Sequence, residues 1–427
     1  MKSNNMGALV GALVVGAVIG FFVGKGNKEI VEVEKIVEVE KIVEVEKIVE
    51  VPMEAVKMGI ILGFTGPIES LTPDMAASAE AAFAEAAGSG MFLGGRGIDA
   101  IRADSTCIDA AAASAAAERL ITADGVAGIM GADCSGVTTA IANNVAVPNG
   151  VTMVSPSATS PALTTIEDNG YFFRTAPSDA RQGEVMAQVV MDRGIKDVAV
   201  TYTNSDYGKG LSDSFAAAFA ANGGSVSVVA AHEEGKADYS AEVAALSAGG
   251  SEVLVVLGYL DQAGRSIIQS SLDADAFSNF VLGDGMIGQS LIDNVDGDLT
   301  GVIGTLPGSD SDGAKTFLDV AAAVGIDGDG PFRGESYDAA ALMVLAMQKG
   351  GNADRDTIAQ NLMSVANAPG TKILPGELGK ALKILAEGGD VDYEGASNVE
   401  LTDVGEAAGS YKELEIRNGK FETVAIR

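Results

Sequence analysis

Two short polar clusters have residue types and spacing suited to holding a small anion: Asp133-Cys134-Ser135-Gly136 and Ser155-Pro156-Ser157-Ala158-Thr159-Ser160. Each directly follows an apolar run of β type, residues 125–130 and 151–154, and a segment of helical character, residues 137–147, lies between them. The order is strand, polar turn, helix, strand, polar turn. In parallel α/β sheets the loops at the carboxyl ends of strands meet in a crevice where ligands bind. Hydroxyls and unpaired N–H groups at opening helices suit a carboxylate, because the helix terminus offers donors and a favourable dipole. The same residue types also cap helices and form turns, and composition alone does not separate the two uses. Asp284 follows a further apolar strand and stands between Gly283 and Gly285. That is where a strand end would present a site residue, although Asp-Gly is equally a turn signal.

Other chemistries are poorly supplied. There is no Trp and a single histidine, His232, which removes most metal and acid/base constellations. Lying between a strand and Glu233-Glu234, His232 is expected at the surface. Residues 283–288 spell G-x-G-x-x-G, but Asp284 would put a carboxylate inside the turn that must approach a pyrophosphate. Asp327-Gly328-Asp329-Gly330 opens like a calcium loop and then lacks the later ligands, so a turn is expected. No cofactor and no catalytic set emerge. With 59 acidic against 28 basic residues the net charge is −31, which excludes tracking of nucleic-acid phosphates and suits solubility in salt.

Such clusters need a scaffold to position them. Residues 56–64 are a continuous apolar run, as buried parallel strands are. Thr65-Gly66-Pro67 turns the chain, residues 75–87 form an Ala-rich helix, 98–103 a second strand and 110–122 a second helix. After residues 171–177 the pattern restarts, with strands at 198–202, 226–230 and 253–257, helices at 210–221 and 239–247, and a continuation through 263–271 and 280–282. This alternation predicts βαβ units in right-handed, doubly wound sheets. The 427 residues suffice for two such domains. The expected fold is therefore α/β, with two doubly wound three-layer lobes and candidate crossings near Ala176 and Pro307.

Ahead of the lobes, residues 6–23 are an uncharged run of 18, with Lys2 before it and Lys25 and Lys28 after it. At ~1.5 Å per residue it reaches about 27 Å, the depth of a bilayer core. No small-x-small cleavage site follows and no cysteine is placed for lipidation, so residues 1–28 are expected to be an uncleaved single-pass anchor. In residues 30–51 the unit IVEVEK repeats three times and begins a fourth before Pro52. Its apolar pairs keep no single face on a helix, so residues 29–52 predict a stalk without a packed partner, ~33 Å long if helical and ~70 Å if extended. The two cysteines, Cys107 and Cys134, are either two buried thiols or one bridge.

The segment SPSATSP at 155–161, with FRTAPSD at 173–179, SDYGKGL at 205–211, LGDG at 282–285 and DYEGAS at 392–397, resembles the solute-binding proteins of ABC transporters in the Leu/Ile/Val-binding group. The resemblance runs from about Lys57 to the C-terminus. It implies a type 1 periplasmic-binding-protein fold whose chain passes between lobes three times, giving an N-lobe of 53–176 and 309–395 and a C-lobe of 177–308 and 396–427, joined by a hinge. It implies a Cys107–Cys134 bridge, and with it an extracytoplasmic location for the binding part. It also implies a ligand set: Ser135 and Thr159, with the backbone at Ser157 and Ala158, for an α-carboxylate; Asp284 for an α-ammonium; Tyr207 and Tyr259 closing over the ligand. Capture of an amino acid, branched-chain or small and apolar, and delivery to a permease with its ATPase would follow. A ligand-sensing ectodomain, or a binder of an amide- or urea-type ligand, stays open beside it. Asp284 is one methylene shorter than the Glu some members carry, and residues 66–74 lack the aromatic that members often have there.

Overall fold

The computed structural model describes residues 32–38, 41–47, 53–327 and 330–427. The expected anchor at 1–28 lies outside them, as do Gly328 and Asp329 of the expected turn. Among the described residues no helix is long and apolar enough to cross a membrane. The chain divides into two compact units, the first ending at Met53 and the second running from Glu54 to Arg427. In the first, β1 (Glu32–Glu38) pairs antiparallel with β2 (Lys41–Lys47). Neither a helix nor one extended run, the repeat folds back on itself. The register sets Glu32 opposite Lys47, Lys35 opposite Glu44 and Glu38 opposite Lys41.

The second unit opens with β3 (Val56–Leu62), α1 (Thr72–Gly88), β4 (Ile98–Asp104), α2 (Ala110–Arg119), β5 (Gly128–Gly131), α3 (Ser135–Ile141), β6 (Thr152–Ser155) and β7 (Phe172–Arg174). All five strands are parallel, in the order β4-β3-β5-β6-β7. The chain then builds α4 (Asp179–Asp192), β8 (Asp197–Thr203), α5 (Asp206–Ala221), β9 (Ser225–His232), α6 (Ser240–Ser247), β10 (Val253–Leu257), α7 (Ala263–Asp273), β11 (Asn279–Leu282), α8 (Gln289–Asn294) and β12 (Ile303–Pro307). These strands form a second parallel array, β12-β11-β10-β8-β9.

Beyond β12 come α9 (Asp312–Ala323), α10 (Arg333–Gly350), α11 (Arg355–Ala366), β13 (Thr371–Ile373), α12 (Leu378–Ala386), β14 (Val391–Tyr393), β15 (Tyr411–Arg417) and β16 (Lys420–Ile426). Helix α10 is buried over almost its whole length, its apolar stretch from Ala339 to Met347 together with the charged Arg333, Glu335 and Asp338 of its first turns. It lies so close to the first sheet that a Cβ on Gly128 of β5 would stand 2.5 Å from Met343 Cε. Strands β15 and β16 instead extend the second sheet antiparallel from β12. The chain thus passes between the two α/β lobes three times.

One residue is placed differently from its expectation. His232 ends β9 inside the protein, 1% exposed, with Nδ1 2.8 Å from Thr201 Oγ1. The strand is longer than its apolar run and carries the ring inward, and desolvation holds its pKa down at about 4, so it sits neutral in the core.

Candidate functional site

The loops at the carboxyl ends of the strands converge where the lobes face each other, around a cavity of about 30 Å³. Its walls are Ile68, Leu71, Met75, Asp133, Cys134, Ser135, Ser157 and Phe332 on one side and Tyr207, Tyr259, Asp284 and Gly285 on the other.

Asp133 organises the first side. Its carboxylate accepts from Gly63 N at 2.6 Å, Ser105 Oγ at 2.9 Å and Cys134 N at 2.9 Å, tying together the loops after β3, β4 and β5. Burial pushes its pKa up while those three donors pull it back. Cys107 and Cys134 are bridged, with an S–S distance of 2.03 Å, which fastens the loop after β4 to the start of α3. Ser135 is the first residue of α3 rather than its cap, and its Oγ accepts from Ser160 N at 3.1 Å, which joins the two polar clusters. Ser157 donates from Oγ to Asp133 O at 3.2 Å and lines the cavity.

Ala158 and Thr159 are not brought to the cavity wall. The Ala158 N–H donates to Ser155 Oγ at 2.9 Å and its carbonyl accepts from Arg174 Nη1 at 2.9 Å. Thr159 is fully buried, with its carbonyl accepting from Asp179 N at 2.8 Å. Arg174, itself buried, also donates to Ser160 O and Thr164 Oγ1 and is paired with Glu406, so its charge is consumed in holding this loop.

On the second side Asp284 sits in a short turn after β11, held by Tyr207, whose hydroxyl donates to Asp284 Oδ1 at 2.5 Å and accepts from Gly285 N at 3.1 Å. The glycine after the acid is needed for this approach: a Cβ on Gly285 would stand 2.6 Å from Gly258 O. Tyr207 and Tyr259 stack, with ring centroids 5.3 Å apart. Burial pushes Asp284 up to about 6 against the hydrogen bonds that favour its charge, and Tyr207 is driven well above the usual phenol range, so it stays a donor.

Asp284 therefore lines the cavity from the second side, Ser135 at the start of α3 and Ser157 after β6 line it from the first, and Ile68, Leu71, Met75 and Phe332 add an apolar wall. The wall was missed in sequence. Ile68 and Leu71 lie in a loop whose spacing has no period, and Phe332, at φ 58° before α10, comes from a segment more than 190 residues away in sequence from Ser135. Its side chain adds an aromatic ring to the cavity wall.

The lobes are also clasped beside the cavity. Asp261, in the loop after β10, donates from N to Pro67 O at 2.9 Å, accepts from Ser70 N at Oδ2 at 2.9 Å, and accepts from Ser290 Oγ at Oδ1 at 2.8 Å.

Two α/β lobes with a crevice between the carboxyl ends of their strands are the architecture of solute-binding proteins. The pattern of the periplasmic binding protein family matches residues 55–379, and the chain belongs to that family, whose members bind and carry solutes and are not enzymes. Among similar proteins, the leucine-, isoleucine-, valine-, threonine- and alanine-binding protein of Pseudomonas aeruginosa is 28% identical over 72% of this chain and 82% of its own. A substrate-binding protein of a chemotactic signal transduction system in Halobacterium salinarum is 25% identical over 87% of this chain and 89% of its own. The crystal structure of a leucine binding protein from Thermotoga maritima superposes with a TM-score of 0.74 at 24% identity, covering 87% of this chain and 98% of that one.

Proposed function

We propose that this protein captures an amino acid with a branched or small apolar side chain in the interlobe cavity and hands it to the permease of an ABC importer. The observation that carries the reading is the three-part cavity wall: Asp284 with Tyr207 on one side, Ser135 and Ser157 on the other, and the apolar group of Ile68, Leu71, Met75 and Phe332. An α-ammonium beside Asp284 and an α-carboxylate beside the serine hydroxyls would each find charge-assisted partners. Thr159 and Ala158 support the carboxylate loop from behind, while Tyr207 and Tyr259 close over the ligand. A cavity of about 30 Å³ admits water and not an amino acid, so the lobes part about their crossings to load it.

The lobe limits of 53–176 with 309–395 and 177–308 with 396–427 belong to this proposal, as does the membrane attachment. The uncharged run at 6–23 and its flanking lysines support a single-pass anchor, with the bridged binding unit outside the cytoplasm. The chemotactic relative in Halobacterium salinarum favours a second reading, in which the loaded protein reports to a transducer instead of a permease.

A thermal-shift panel of amino acids, amides, urea and organic acids tests the ligand class. A ligand at about a thousand times its Kd adds ~4 kcal/mol to stability, a clear rise in Tm. Leucine, isoleucine or valine is expected to give it; a shift from amides or urea alone would overturn the assignment. Loss of leucine uptake on gene deletion separates importer from sensor, for which chemotaxis would fail with uptake intact.

A further inference from the structure

Behind Asp284 lies a second acid that the ligand set does not use. Asp179 is the first residue of α4 and is fully buried, and neither of its carboxylate oxygens has a hydrogen-bond partner among the described residues. Thr159 Oγ1 beside it and Gln182 Oε1, one turn along α4 on the same face, are also buried and unpartnered. The Gln182 amide donates to Thr305 Oγ1 at 3.1 Å, and Thr305 follows Gly304, the β12 partner of Leu282 on β11, so the first turn of α4 lies against the strand ends from which the Asp284 turn begins, and the two carboxyl groups share one enclosure.

The charged and titratable groups around that enclosure can be counted element by element. Arg174 on β7 is spent on Glu406, Ala158 and Ser160. Arg181 on α4 faces solvent and pairs with Glu184. Tyr207 on α5, Tyr259 after β10 and Tyr411 on β15 are all held neutral by burial, and Asp133 adds a further acid. Two ionised carboxylates would thus share a dry site whose nearest cation, Arg174, is already paired with Glu406, which is strongly unfavourable. Something positive has to sit with them: a proton, or a cation brought from outside.

Building on the amino-acid reading above, we infer that Asp179 and Asp284 hold one proton between them when the cleft carries no ligand, and that an incoming ammonium replaces it. The ligand enters with its R–NH₃⁺ intact, the shared proton leaves to solvent, and both carboxylates end ionised around the ammonium. No bond other than O–H is broken. Asp179 is then a specificity-determining residue, because a ligand without an ammonium cannot discharge the pair. The upward displacement of both acids, each driven first by burial, agrees with this arrangement.

The test is calorimetric titration of the full chain in detergent with L-leucine, L-isoleucine, L-valine and L-alanine, run at about pH 7 in buffers of different ionisation enthalpy. Proton release makes the observed heat depend on the buffer, and the affinity for L-leucine should weaken by up to about tenfold per pH unit on acidification. Asp179→Asn should abolish the buffer dependence and cost about ten- to a hundredfold in affinity, whereas a merely structural Asp179 would change Tm and leave proton release in place. Heats independent of buffer in the unaltered protein, with L-leucine bound, would overturn this inference and leave the amino-acid reading standing. No heat with any of the four would overturn both.

Discussion

At the scale of single residues, Asp284 is the charge on which the proposed capture turns. Replacing it by Ala should weaken leucine binding by about 2–5 kcal/mol, because one partner of a buried charge pair is removed and the other is left desolvated; titration calorimetry reads this directly, and an unchanged Kd would move the ammonium elsewhere. Ser135, Ser157 and Asp284 were legible as candidates in sequence because they sit in short polar motifs directly after apolar strands, whereas Tyr207 and Tyr259 came from the family resemblance alone. Asp179 stood in the open in FRTAPSD and gave no signal, since an acid in the first turn of a helix is ordinary dipole chemistry. Its burial arises only when α4 is laid against β12 of the second sheet. His232 was misjudged for the converse reason: the two glutamates that follow it mark a surface loop, while the ring belongs to the end of a strand.

Elements set the preferences of the site. The loop before α1 carries Ile68 and Leu71 into the cavity wall and is clasped to the second lobe through Asp261. Shortening Leu71 to Ala should reduce the preference for leucine over alanine by about 1–3 kcal/mol, the worth of lost apolar contact in a pocket. Competition binding with the two amino acids measures it, and equal losses for both would show that Leu71 supports the loop without contacting the side chain. Asp261→Ala removes the side-chain half of the clasp, worth ~1–2 kcal/mol, so leucine should dissociate about 5–30 times faster in stopped flow. An unchanged off-rate would mean that the clasp does not hold the closed form.

The alternation of strand and helix was enough to reveal βαβ units, because buried parallel strands are short apolar runs. It could not say that α10 to α12 return to the first sheet. Helix α10 buries charged and apolar residues on every side, so no one-sided stripe points to a partner, and that assignment came from resemblance alone.

For the whole molecule, the buried carboxyls fix the sign of a pH effect. Asp284 and Asp338 are pushed up to about 6 and Glu335 to about 7, each by burial. An acid whose pKa is raised on folding binds its proton more tightly in the folded state, so its stability contribution is lost as pH climbs from the unfolded value through the folded one. His232, lowered to about 4, acts in the opposite sense over about the same window, but it is one group against three. The unliganded Tm should therefore fall between about pH 5 and pH 7.5, and should rise with added salt, which screens a net charge of −31. A Tm that climbs through that window would contradict the neutral, proton-holding state of these acids.

The central claim, that an amino acid is held by both of its charges across this cavity, is tested most directly by titrating the protein with L-leucine and with isocaproate, which is leucine without its amino group. L-leucine should bind and isocaproate should be weaker by at least about a hundredfold, the cost of leaving Asp284 and its neighbour without an ammonium. Isocaproate binding as tightly as L-leucine would contradict it.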